Sequence, residues 1–135
     1  MATAQKITTF LMFQDGRAEE AMNFYTSLFS DGEIVAVKRY GADGPGAEGT
    51  VEYATFALAG AQLKCIDSPV KHEFDFTPSI SLWVECDDAD EQKRLHASLV
   101  DRGAELMPLD NYGFSARFTW VADRFGITWQ LNLAE

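Results

Sequence analysis

Apolar and polar positions alternate with two different periods along this chain, and the switches between them mark its elements. Ile7 to Phe13 alternates as a half-buried strand does, because successive side chains of an extended chain point to opposite faces. Asp15-Gly16 turns the chain. Ala18, Ala21, Met22, Tyr25, Leu28 and Phe29 then recur at helical spacing, which predicts an amphipathic helix over Arg17 to Ser30. Asp31-Gly32 stops it, with Gly32 expected as the C-terminal cap. Glu33 to Tyr40, Thr50 to Leu58 and Ala61 to Asp67 read as strands, the last two joined by a turn at Ala59-Gly60. Gly41 to Gly49 carries four Gly and one Pro without an apolar anchor, which predicts a mobile loop.

The second half repeats this order. Ser79 to Cys86 reads as a strand. Asp88 and Glu91 have capping-box spacing for a helix from Ala89 to Arg102, closed by Gly103, with Leu95, Leu99 and Val100 as its apolar stripe. Ala104 to Leu109, Ser115 to Ala122 and Ile127 to Leu133 complete three more strands. The expected fold is therefore α+β, a single domain of paired βαβββ modules, each a curled mixed sheet with an outer helix. Module one is expected over residues 5–68, a linker over 69–78 and module two over 79–135. Side-by-side modules would leave a cleft, where small ligands usually bind.

Composition narrows the function classes. A net charge of −10 argues against a nucleic-acid or anionic-membrane partner, since phosphates would be repelled. No run approaches ~18 apolar residues, so no membrane span is expected. The first residues lack the apolar region of a signal peptide. Cys65 and Cys86 form no Cys-x-x-Cys pair and sit in apolar runs, so both are expected as buried free thiols in a reducing cytoplasm.

Three runs carry a family resemblance: Ala18-Glu19-Glu20-Ala21-Met22-Asn23-Phe24-Tyr25, Phe76-Thr77-Pro78-Ser79-Ile80-Ser81-Leu82-Trp83-Val84-Glu85-Cys86, and Asp123-Arg124-Phe125-Gly126-Ile127-Thr128-Trp129-Gln130. Together they resemble the PhnB-like branch of the vicinal oxygen chelate superfamily, which includes glyoxalase I, bleomycin-resistance proteins and extradiol dioxygenases. The resemblance spans nearly the whole chain and implies the paired βαβββ modules and a homodimer. It implies no single activity, because members of the superfamily differ in chemistry. One stretch departs from it. The branch often has Cys-Gly-Trp-Leu before the final Asp-x-Phe-Gly, and here Phe118-Thr119-Trp120-Val121 stands there, with Phe118 expected in packing.

The superfamily's chemistry uses a divalent metal held by His, Glu or Gln on the first and last strands of each module. Such a site needs about three protein ligands. The two-residue period tests whether they are present. On the last strand Ile127, Trp129, Leu131 and Leu133 are expected in the core, with Thr128, Gln130 and Asn132 on the cleft face. Matching Gly60 to Gly126 aligns Lys64 with Gln130. Thr8, Phe10 and Met12 are expected on the cleft face of the first strand. On the fifth, Ser79, Ser81 and Trp83 are expected there, with Ile80, Leu82 and Val84 in the core. The ligand positions thus hold roughly Phe10, Lys64, Ser79 or Ser81, and Gln130. Phe cannot ligate, Lys repels a cation, and one amide oxygen does not hold a catalytic ion. His96 falls on the second helix and His72 in the linker. No catalytic metal and no cofactor are expected.

The expected site is a small-molecule cleft lined by Phe10, Met12, Lys64, Ser79, Ser81, Trp83 and Gln130. Lys64 either meets a ligand anion or pairs with Glu52 or Asp67. Asp67 is otherwise expected to cap the turn at Ser68-Pro69. The function read from these residues is a dimeric small-molecule binding protein. The alternative is a metal-dependent enzyme of the glyoxalase or dioxygenase kind. A 3-demethylubiquinone 3-methyltransferase activity, a label attached to the branch, is disfavoured because no Gly-rich strand-to-helix turn for a nucleotide-methionine cofactor is visible.

Overall fold

The computed structural model describes residues 5–134. Two compact units, Met1–Glu73 and Phe74–Glu135, divide the chain. In the first, β1 (Thr9–Phe13), α1 (Ala18–Ser27), β2 (Glu33–Arg39), β3 (Val51–Leu58) and β4 (Ala61–Asp67) follow in order, and the sheet runs β1-β4-β3-β2. In the second, β5 (Ser81–Glu85), α2 (Ala89–Val100), β6 (Ala104–Asp110), β7 (Arg117–Ala122) and β8 (Thr128–Leu133) build the sheet β5-β8-β7-β6. The first and last strands of each unit pair in parallel, and the other neighbours pair antiparallel. This is the expected α+β architecture of two βαβββ units, with four-stranded mixed sheets.

Each helix buries one stripe against its sheet. On α1, Ala18, Ala21, Met22 and Tyr25 are buried, and the Tyr25 ring stacks on Phe56 of β3 at 6.2 Å. On α2 the buried stripe is Gln92, Leu95 and Leu99, whereas Val100, expected in it, is only half-buried. Gln92 takes an apolar position because its amide donates to the carbonyls of Arg117 and Leu131, both at 3.0 Å. Asp88 caps α2 by accepting from Glu91 N–H at 2.8 Å, and Glu91 reaches back to the N–H of Asp87 at 2.6 Å.

Both helix-ending glycines have a different role from the expected one. Neither Gly32 nor Gly103 is left-handed. A Cβ on Gly32 would stand 2.0 Å from the Thr26 carbonyl oxygen, and one on Gly103 would stand 2.1 Å from that of Ala122. Close backbone approach therefore requires them, and Arg102 takes the positive φ after α2. Pro108 sits in β6, an edge strand, where a missing N–H costs no ladder bond.

Asp67 is also placed differently. It does not cap Ser68-Pro69. It is 2% exposed, and its carboxylate accepts from Ala18 N–H (2.8 Å) at the start of α1 and from Val51 N–H (2.9 Å) at the start of β3. The Tyr40 hydroxyl donates to the Asp67 carbonyl at 3.0 Å. The loop 41–49 folds over that buried ring, where a Cβ on Gly46 would lie 2.5 Å from it, so the loop does have an anchor. Asp67 thus supplies the partner that Arg17, which offers no side-chain cap, does not give α1. Asp67→Ala removes both bonds and strands two backbone donors, for an expected loss of about 3 kcal/mol in urea unfolding. A loss below ~0.5 kcal/mol would contradict this role.

Candidate functional site

The side of each sheet away from its helix carries the candidate chemistry. In the second unit the register arranges it in rows. Ser81, Thr128 and Ala122 form one row across β5, β8 and β7; Trp83, Gln130 and Trp120 form the next; Glu85, Asn132 and Phe118 form the third. The intervening residues Trp129, Leu131 and Val121 are buried on the helix side, as the two-residue period predicts.

In the first row the Ser81 and Thr128 hydroxyls lie 2.6 Å apart, and Trp120 Nε1 donates to Ser81 Oγ at 3.1 Å. Ser81 is thereby largely engaged within the protein. In the middle row the Gln130 carboxamide makes no hydrogen bond among the described residues, although tryptophans flank it on both neighbouring strands. In the third row Glu85 is fixed from two sides. Trp83 Nε1 donates to Oε2 and Asn132 Nδ2 to Oε1, both at 2.8 Å. Ser115 donates to Asn132 Oδ1, which orients that amide. The bonds from Asn132 and Trp83 hold the Glu85 carboxyl below the usual carboxylate range.

An aromatic wall borders these rows. The Phe118 ring lies 5.7 Å from Trp83, 5.0 Å from Phe114 and 6.0 Å from Tyr112. Phe118 is buried as expected, but on the helix-free side. Phe118 and Trp120 could have been found by carrying the alternation onto β7. Tyr112 and Phe114 sit in the connection after β6, where no period points to them.

In the first unit, Phe10, Lys64 and Thr55 form the corresponding row across β1, β4 and β3. Met12, half-buried on β1, pairs with Ile66. Lys64 Nζ donates to Thr55 Oγ1 at 3.1 Å and lies 4.9 Å from the centre of the Tyr53 ring. Neither Glu52 nor Asp67 pairs with it. Glu52 pairs with Lys38 at 3.7 Å, and Asp67 is spent on backbone donors. The Lys64 ammonium pulls the Tyr53 phenol below its ordinary range, chiefly by hydrogen bonding.

Two expectations at the start of β5 need revision. Ser79 lies in the turn before the strand, with its hydroxyl 2.8 Å from that of Thr77. Ile80, expected in the core, is 76% exposed. The ladder begins at Ser81, opposite Thr128, so the alternation has no sheet to act on before that point. The histidines stand elsewhere. His96 on α2 meets Glu105 at 2.5 Å, and His72 gives its backbone N–H to Gln14 at 2.6 Å.

The donor set does not fit a catalytic metal. Of the four expected positions, Phe10 and Lys64 lie opposite each other and offer no ligand, Ser81 lies opposite Thr128 with its hydroxyl held by Thr128 and Trp120, Ser79 meets Thr77, and Gln130 lies opposite Trp83 with its amide oxygen as the remaining donor. Among the described residues no three His, Cys, Asp or Glu side chains converge. The Glu85 carboxylate offers a sharper check on this electrostatic picture. Its stabilising bonds are present above the ordinary carboxylate pKa and are lost as pH falls through the lowered one. In a carboxyl-detected NMR titration Glu85 should ionise below a model glutamate, and Asn132→Ala should move it upward. An unchanged midpoint in that variant would contradict the assignment.

Comparison with known proteins agrees with the fold. The chain matches the sequence model of the family described as 3-demethylubiquinone-9 3-methyltransferase over residues 5–132. It is similar, at 56% identity and a TM-score of 0.92, to a PhnB protein from Bacillus cereus described as a candidate 3-demethylubiquinone-9 3-methyltransferase, covering 96% of this chain and 100% of that one. A Pseudomonas aeruginosa protein matches at 25% identity and a TM-score of 0.82, over 96% and 98% of the two chains. A glyoxylase/bleomycin resistance protein/dioxygenase domain from Frankia shares the fold at 15% identity and a TM-score of 0.67, over 99% of this chain and 94% of that one. No curated protein sequence matches. A match spanning almost all of the chain, together with the 56% identical PhnB protein, places it in the PhnB-like family described as 3-demethylubiquinone-9 3-methyltransferase, and it shares its fold with a glyoxylase/bleomycin resistance protein/dioxygenase domain.

Proposed function

We propose that this chain is a small-molecule binding protein, working as a homodimer without the superfamily's catalytic metal. One observation carries the reading: the Gln130 carboxamide makes no hydrogen bond among the described residues and sits between Trp83 and Trp120 on the helix-free face. A polar group open to a ligand among apolar walls is the usual make-up of a small-molecule site. The ligand stacks on Trp83 and meets the Gln130 amide, while Ser81 and Ser79 shape the surroundings more than they bind. On the first sheet, Phe10, Met12 and Lys64 offer an apolar surface with one cation, suited to a carboxylate or phosphonate.

Methyl transfer, which the family's description names, finds little support in this chain. It needs a site for a methyl donor, and no Gly-rich strand-to-helix turn precedes α1 or α2. The turn before α1 is Asp15-Gly16-Arg17, and that before α2 is Asp87-Asp88. A metal-dependent reaction lacks its ligand set. Free, buried Cys65 and Cys86, with thiols pushed up to about 12 chiefly by burial, suit a reducing, cytoplasmic setting. No helix among the described residues is long and apolar enough to cross a membrane.

The reading is tested by adding Mn, Fe, Ni and Zn separately to metal-stripped protein and measuring bound metal per chain and mass by light scattering. The expected result is a dimer with less than ~0.1 metal per chain, since one amide oxygen holds no catalytic ion. Stoichiometric binding, lost in Gln130→Ala, would overturn it in favour of the enzyme. Thermal shift with aromatic carboxylates and phosphonates should show stabilisation that weakens in Lys64→Ala or Gln130→Ala.

A further inference from the structure

The third row of the second sheet holds more order than an exposed carboxylate needs. Glu85 is solvent-exposed, yet three side chains fix it: Ser115 orients Asn132, Asn132 donates to one carboxylate oxygen, and Trp83 donates to the other. Each carboxylate oxygen has a further lone pair. Among the described residues no Lys or Arg pairs with it, although such groups elsewhere do form pairs, as Arg39 does with Glu19 at 2.7 Å. The wall beside it is aromatic and open, with Trp83 49% and Phe114 65% exposed and Phe118 packed between them in ring contact with both.

We propose that Glu85, Trp83 and Phe114, with buried Phe118 packed behind the two rings, form a receptor for an organic cation, a quaternary or protonated amine carrying an apolar or aromatic group. This rests on the reading that the helix-free face binds small molecules, and it names the class for the second sheet. A cation is drawn to the negative faces of aromatic rings, best of all to Trp, and a fixed carboxylate adds a charge partner at one side. The Ser115-Asn132-Glu85-Trp83 chain holds the carboxylate and the indole in one arrangement before the ligand arrives, so little ordering is left to binding. The chain's net charge of −10 adds long-range attraction of the same sign. An anionic ligand would be repelled here, in contrast to the Lys64 surface of the first sheet.

The test follows the Trp83 indole N–H resonance, identified by its loss in Trp83→Phe, during titration with phenyltrimethylammonium, benzyl alcohol and benzoate. The expected result is about tenfold tighter binding of the cation than of benzyl alcohol. Glu85→Gln, which removes the charge and keeps the shape, should bring the two within about twofold, and raising salt to ~0.5 M should weaken only the cation. Equal binding of the cation and the alcohol to the native chain would overturn the cation assignment while leaving the small-molecule reading intact. So would a Glu85→Gln loss shared by both probes, which would reduce Glu85 to orienting Trp83. Failure of all three probes to move the indole signal would overturn both.

Discussion

The parallel pairing of the first and last strands of each unit sets everything that follows on the sheet faces. Phe10 lies opposite Lys64, and Trp83 lies opposite Gln130. Because side chains alternate along a strand, fixing one such pair assigns every residue of both strands to the helix side or the free side. A slip of one residue would bury Lys64 and Gln130 under a helix and turn Cys65, Trp129 and Leu131 outward. The burial of those three residues is the hydrophobic term that holds the register.

The same register used twice with different side chains separates the two sheets chemically. The row Phe10-Lys64-Thr55 offers one cation and one hydroxyl, whereas the row Trp83-Gln130-Trp120 offers a neutral amide between indoles. The turns between the last two strands also differ. Asp31, from beyond α1, caps Ala59 and Gly60 in the first unit, while Asp123 within the turn accepts from Phe125, Ile127 and the Trp129 indole in the second. Gly60 and Gly126 both take positive φ, so the backbone solution is shared even where the capping groups are not.

Much of this was legible in the sequence, and the reasons divide cleanly. The element order, the stripe of α1 and the opposite faces of Gln130 and Trp129 follow from period alone, because burial on one side writes itself into the chain. The start of β5 was not legible: whether Ile80 faces a core depends on where Thr128 begins its ladder, a fact about a partner strand. The role of Asp67 is hidden for the same reason, since its partners Ala18 and Val51 lie far along the chain. The Glu85 network and the Tyr112-Phe114-Phe118 wall join residues from β5, β7, β8 and a loop, and no local pattern marks such a convergence.

The central claim is that the free face of the second sheet is the binding surface, and backbone chemical-shift mapping tests it most directly. Titration with an aromatic ligand that binds should perturb alternate residues: Trp83 but not Leu82, Gln130 but not Trp129 or Leu131, Trp120 but not Val121. That two-residue alternation is the predicted result. Perturbation spread equally over both faces, or concentrated on Leu95, Leu99 and the helix side, would contradict the account.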